Sequence, residues 1–144
     1  MLVPDMRNLP NRRNVPNRRD LPILVVDDDP SIRNVLSEIL AMEGYRVETA
    51  ANGAEALRAL ERTRPSLVLL DMRMPVLNGW DFARALSHRG VKLPIVVMTA
   101  AQDAGRWAAE IGADAYLPKP FELLDLLDTV ERVRTRPGKR RAPN

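Results

Sequence analysis

The stretch Ile23-Leu24-Val25-Val26-Asp27-Asp28-Asp29 drives four apolar residues straight into three carboxylates. Four apolar residues make a suitable length for a strand buried on both faces of a parallel sheet. A second run, Leu67-Val68-Leu69-Leu70, ends the same way, in Asp71. Both strands therefore deliver acids to the carboxyl edge of a sheet, where open α/β folds bind their ligands. Like charges this close repel by about 4 kcal/mol per pair at 4 Å and an effective dielectric near 20. A cation offsets that cost, and hard carboxylate oxygens suit Mg²⁺. Asp29 stands apart. It precedes Pro30 and reads as the N-cap of a helix with proline at its first position.

From Leu21 onward, strand and helix patterns alternate. Strands are expected at 22–27, 46–50, 66–71, 95–99 and 114–117. Helices are expected at about 30–43, 53–63, 79–88, 103–111 and 121–134. The first helix places Ile32, Val35, Leu36, Ile39 and Leu40 on one face, and Gly44 stops it. Asn52 is the expected cap of the second, with Ala56, Leu57 and Leu60 inward. Gly105 predicts a short, weak fourth helix. The fifth carries Leu123, Leu124, Leu126, Leu127 and Val130 as its apolar set. Five such units imply an α/β fold, a doubly wound five-stranded parallel sheet covered by helices on both faces.

The chain of 144 residues suits one domain with a real core, and it has no cysteine, so disulfide and thiolate chemistry are excluded. The apolar runs are far below the ~18 residues that span a bilayer, and the start lacks a signal-peptide core, so the expected location is cytoplasmic. The net charge of +3 conceals an asymmetry. Residues 1–20 carry five arginines and two acids, and residues 132–144 carry six Lys/Arg and no acid. The stretch between is acidic, so the basic character belongs to the tails. Residues 1–20 repeat Asn-Leu-Pro-Asn-Arg-Arg as Asn-Val-Pro-Asn-Arg-Arg. They are expected to be a disordered basic extension, and 135–144 a basic tail, flanking a domain at 21–134. Tail binding to nucleic acid or an anionic surface is disfavoured, because no aromatics interleave with the arginines.

Four features fall at strand ends: Asp27-Asp28, Asp71, Thr99-Ala100 and Lys119-Pro120. Right-handed crossovers bring them to one rim. Carboxylates, a hydroxyl and an ammonium can hold a metal and a phosphoryl group together. Asp71 is then a candidate nucleophile forming an acyl phosphate. Asp28 and Asp71 are candidate Mg²⁺ ligands, Lys119 a partner for the phosphate and Thr99 a donor to one of its oxygens. Repulsion in this set should raise at least one carboxylate pKa.

These motifs resemble the receiver domain of two-component response regulators, in its single-domain, chemotaxis-regulator-like form. The likeness covers about 21–134. It rests on Val25-Val26-Asp27-Asp28, Leu70-Asp71-Met72-Arg73-Met74-Pro75-Val76-Leu77-Asn78-Gly79, Met98-Thr99-Ala100, and Gly112-Ala113-Asp114-Ala115-Tyr116-Leu117-Pro118-Lys119-Pro120-Phe121. The resemblance implies a flavodoxin-like (βα)5 sheet in the order 2-1-3-4-5. It implies that Asp71 accepts a phosphoryl group from a histidine kinase phosphohistidine, or from a phosphotransfer protein. Asp28 and Asp71 would bind Mg²⁺ directly, Asp27 through water, and Arg73 through its backbone carbonyl. Thr99 and Lys119 would sense the phosphoryl group, Ala100 would leave room above it, and Tyr116 would be the aromatic switch. Output to a downstream protein target would leave by helix four, strand five and helix five. Such a module is a phosphoacceptor with slow self-catalysed dephosphorylation, not a turnover enzyme.

Arg73 sets a cation where metal and phosphate gather, with shielding of the acyl phosphate or pairing with a neighbouring acid as its expected roles. Trp107 is expected to pack its helix, with a partner anchor as the alternative. The single histidine, His88, reads as a solvated helix-end residue, so the chain does not supply its own phosphohistidine. Met42, Met72, Met74 and Met98 read as packing and loop residues. Two other readings remain: a receiver fragment of a larger regulator whose output domain is absent, and an aspartate-nucleophile phosphatase. The phosphatase reading wants a general acid two residues after Asp71, where Arg73 stands. A nucleotide or flavin carrier lacks its glycine-rich loop.

Overall fold

The computed structural model describes residues 20–135. The expectations for 1–20 and 135–144 lie, apart from Asp20 and Thr135, outside the described residues.

Five strands and five helices alternate: β1 (Ile23–Val26), α1 (Pro30–Met42), β2 (Val47–Ala50), α2 (Gly53–Ala59), β3 (Leu67–Asp71), α3 (Gly79–His88), β4 (Ile95–Ala100), α4 (Ala101–Ile111), β5 (Ala115–Lys119) and α5 (Leu123–Thr135). The strands form one parallel sheet in the order β2-β1-β3-β4-β5. The first strand is interior and wholly buried, as its unbroken apolar run requires.

Alternation along each strand divides the core between two faces. Leu24, Val26, Val68, Leu70 and Val97 pack with Phe82, Leu86 and Trp107 beneath α2, α3 and α4. Ile23, Val25, Leu67, Leu69, Val96 and Met98 pack with Leu36, Leu40, Leu126 and Val130 beneath α1 and α5. Register aligns the strand ends. Val26 pairs with both Ala50 and Leu70, Asp71 with Met98, and Ala100 with Lys119.

The caps follow the sequence. Asp29 accepts from the Ser31 N–H at 2.8 Å, with Pro30 opening α1. Asn52 and Asn78 cap α2 and α3 in the same way. Gly44 takes φ +93° just past α1, the left-handed stop expected of it.

Four expectations are corrected. Helix α2 ends at Ala59, not near 63, because its last turn tightens: Glu61 and Arg62 donate to Arg58 and Ala59, three residues back. Helix α4 is neither short nor interrupted. It runs unbroken through Gly105, because burial of Ala104, Trp107 and Ala108 outweighs a propensity cost of about 1 kcal/mol. Strand β5 continues through Pro118 to Lys119, which an edge strand tolerates, while α5 starts two residues late, at Leu123. Finally, Val35, Leu123 and Leu124, placed in the apolar sets of their helices, are 53%, 50% and 75% exposed. An apolar stripe wider than the contact it serves leaves its margins in solvent.

Candidate functional site

Val26 and Leu70 are register partners, so the residues that follow them, Asp27 and Asp71, leave the sheet side by side. Oxygens of Asp27, Asp28 and Asp71 all lie within 4.8 Å of one another. Asp27 and Asp71 are buried, whereas Asp28 faces solvent. Both Asp27 oxygens are engaged. Its Oδ1 accepts the Asp29 N–H at 3.0 Å, and its Oδ2 accepts from Lys119 Nζ at 2.9 Å. The same ammonium stands 3.9 Å from Asp71 Oδ1. Lys119 thus bridges two acids from the end of β5.

The Asp71 carboxyl is pushed up to about 7 from an ordinary 3.8. Burial is the main cause, and the charge of Asp27 adds to it, against the opposing pull of Lys119 and the Arg73 N–H. The sequence reading anticipated repulsion; desolvation is the larger cause. One ammonium does not neutralise the set, and oxygen ligands at this spacing fit a hard divalent cation such as Mg²⁺. When bound, such a cation would neutralise the carboxylates and orient phosphoryl oxygens between them.

Thr99 is buried, at 4% exposure, at the end of β4, and its register partner is Pro118, next to Lys119. Ala100 beside it is exposed and small, leaving the rim open. Tyr116 is 49% exposed, its ring turned toward Gly105 of α4. A Cβ added at Gly105 would meet that ring at 3.4 Å, an ordinary van der Waals contact, so the two elements touch here without the ring requiring glycine.

The β3–α3 loop is folded back on Asp71. Gly79 donates to the Met72 carbonyl at 3.0 Å, and a Cβ at Gly79 would lie 2.8 Å from the Met72 Cα. Only glycine allows that approach. Leu77 donates to the Pro75 carbonyl across Val76, which sits at φ +71° in a strained γ-turn.

For Arg73, one of the two expected roles, pairing with a neighbouring acid, is corrected. Its N–H points to Asp71 Oδ1 at 3.4 Å, but its guanidinium pairs with none of the described acids. It lies over the Trp107 ring instead, 4.9 Å from the centroid. Trp107 is buried, so the packing reading holds. Sequence reasoning missed Arg33, whose guanidinium donates to the Asp27 carbonyl at 2.7 Å. The signal was present: Arg33 lies one turn into α1, and helical side chains lean toward the N-terminus. His88 ends α3 in solvent, and Met72, Met74 and Met98 are buried while Met42 is exposed.

An acid triad at the carboxyl edge of a parallel sheet, with two members buried and the third exposed, bridged by lysine and flanked by a threonine, has the make-up of a receiver-type site. Comparison with known proteins agrees. Residues 23–131 match the response regulator receiver domain family, and the chain belongs to it. It is 44% identical over 119 residues to the response regulator MprA of Mycobacterium leprae, covering 80% of this chain and 52% of that protein. The MprA of Mycobacterium sp. strain KMS is 47% identical over 107 residues, covering 73% and 46%. The chain thus spans about half the length of the curated relatives it matches. Among solved structures, the chemotaxis protein CheY4 of Vibrio cholerae superposes with a TM-score of 0.71 at 35% identity, over 79% of this chain and 98% of that one. The receiver domain of the sensor histidine kinase PA1611 from Pseudomonas aeruginosa, described with magnesium in its active-site cleft, gives 0.72 at 32% identity, over 81% and 99%. Among the described residues, no helix is long and apolar enough to cross a membrane.

Proposed function

We propose that this chain is a phosphorylation-switched signalling module of the cytoplasm, with Asp71 as its phosphoacceptor. A carboxylate oxygen of Asp71 would attack the phosphorus of a phosphohistidine on a histidine kinase or phosphotransfer protein. The P–N bond breaks, the imidazole leaves, and an acyl phosphate forms. Asp28, Asp71 and the Arg73 carbonyl would hold Mg²⁺, with Asp27 acting through water. Lys119 would release part of its hold on Asp27 to pair with the phosphoryl group, and Thr99 would donate to another of its oxygens. The observation that carries the reading is the single ammonium of Lys119 spanning Asp27 and Asp71 at 2.9 and 3.9 Å.

We place the donor against a groove beside the site. A groove of about 600 Å³ runs between α1 and α5, with Ile32, Val35, Ile39, Leu123 and Leu126 in its walls and Ala100 and Lys119 at its end. The exposed margins of the two helices form its rim. An apolar helical element carrying the phosphohistidine would seat there beside Asp71. Output would pass through α4, β5 and α5 to a downstream protein. The half-length match to MprA favours a second form of this reading, in which the chain is the receiver part of a larger regulator. The phosphatase reading lacks its acid, since Arg73 occupies that position.

Phosphotransfer separates these classes. A kinase labelled on its histidine should pass its label to this chain with Mg²⁺ present, and small phosphate esters should not be turned over. Turnover of esters without label on the chain would support the phosphatase instead.

A further inference from the structure

The two tryptophans of the chain meet each other and Arg73. The Trp80 and Trp107 ring centroids are 4.8 Å apart, and the planes cross at 68°. Trp80, at the start of α3, donates its indole N–H to Glu110 of α4 at 2.9 Å. Trp107, 6% exposed on the inner side of α4, carries the Arg73 guanidinium over its ring at 4.9 Å. A cation within about 6 Å of an indole centroid is held electrostatically, indole being the best aromatic acceptor. Arg73 is therefore fixed from two sides: its backbone N–H faces Asp71 and its side chain lies on α4. Met72 between them is fully buried and has no room to absorb movement.

We propose that Trp107 is a positioning residue for the Arg73 peptide, and that its stack on Arg73 ties helix α4 to occupancy of the cation site. The inference rests on the reading above that the Arg73 carbonyl faces the bound Mg²⁺. A cation taking that carbonyl uses a peptide that the Arg73–Trp107 contact already holds in place, so occupancy and the contact support each other and α4 is linked to the site through both tryptophans. This route is separate from the one through Tyr116. Tyr116 touches α4 at Gly105, two residues from Trp107, and helix positions two apart do not share a face. Coupling of binding is reciprocal. A partner that displaces Trp107 from Arg73 alters Mg²⁺ affinity by the same factor as Mg²⁺ alters its own.

The test uses the full 144-residue chain and Mg²⁺ alone, titrated by calorimetry and by tryptophan emission. Removing the Arg73 charge by itself favours a nearby cation, so the decisive quantity is the effect of Trp107 in two backgrounds. Trp107→Leu should weaken Mg²⁺ binding about two- to fivefold, the range of an exposed cation–π contact. It should have no effect in an Arg73→Ala chain, while Trp107→Phe, which keeps an aromatic face, stays within about twofold of the wild type. Independently of whether Trp107→Leu folds, saturating Mg²⁺ should change the emission of the unmodified chain. Arg73→Ala should abolish that change while calorimetry still shows binding. Equal weakening by Trp107→Leu in both backgrounds, or an emission change that survives Arg73→Ala, overturns the proposal. Asp28→Asn serves as the control: loss of Mg²⁺ binding there with no Trp107 effect refutes the stack alone, and unaltered binding refutes the metal site beneath it.

Discussion

At the residue scale, Asp71 concentrates the conflict on which the site runs. Its folded carboxyl keeps a proton up to about pH 7, whereas an unfolded one loses it near 3.8. Between those values the folded state binds more protons, so Asp71 makes stability fall as pH rises across the window. Asp71→Asn should flatten that decline and stabilise the metal-free domain at pH 8 by about 1 kcal/mol or more, after discounting for solvent screening. Urea melts at pH 5 and pH 8 read this directly; a mutant less stable than wild type at pH 8 contradicts it. Mg²⁺ must displace the same proton, so its affinity should weaken as pH drops below about 7. Val76 is the second strained residue. A β-branched side chain at φ +71° is disfavoured, and Val76 is 79% exposed, so it contributes little packing. Val76→Gly should raise stability by about 1 kcal/mol, visible as a higher urea midpoint.

At the element scale, the fold and the acid cluster were legible because their signals are local. Two apolar runs ending in aspartate, Asp29 and Asn52 at helix starts, and Lys119-Pro120 at the end of β5 each declare their position within a few residues. What failed depended on tertiary partners. Gly105 read as a weakness because the surroundings that bury Ala104, Trp107 and Ala108 come from other elements, and the placing of the Arg73 side chain on Trp107 was hidden because the two are 34 positions apart in the sequence. Val35 and Leu123 belong to apolar stripes yet stand in solvent, because periodicity marks a stripe without its limits. Those exposed margins bear on partner choice: Leu123→Arg should slow phosphotransfer from a kinase while leaving labelling by acetyl phosphate unchanged. Equal slowing of both would mean that the substitution damages the site and not a docking groove. Thr99 tests the output elements. Switching fully from 1:99 to 99:1 needs about 5.5 kcal/mol of differential interaction, and a bond from Thr99 to a phosphoryl oxygen supplies about 1.5–3. Lys119 must supply much of the remainder. Thr99→Ala should accept phosphate yet lose most of the amide shift changes in α4 and β5 on beryllofluoride binding. Wild-type-like changes would refute coupling through Thr99 and Tyr116.

At the scale of the whole molecule, residues 20–135 close both faces of the sheet by themselves. Removing 1–19 and 136–144 should therefore leave the urea midpoint nearly unchanged. A large loss would show that the basic ends pack on the domain. The central claim, that Asp71 accepts a phosphoryl group in a Mg²⁺-dependent reaction, is tested most directly by mass spectrometry after incubation with acetyl phosphate. The expected result is one added phosphoryl group with Mg²⁺ present, absent with chelator and absent in Asp71→Asn. Full labelling of Asp71→Asn, or labelling indifferent to Mg²⁺, would contradict it.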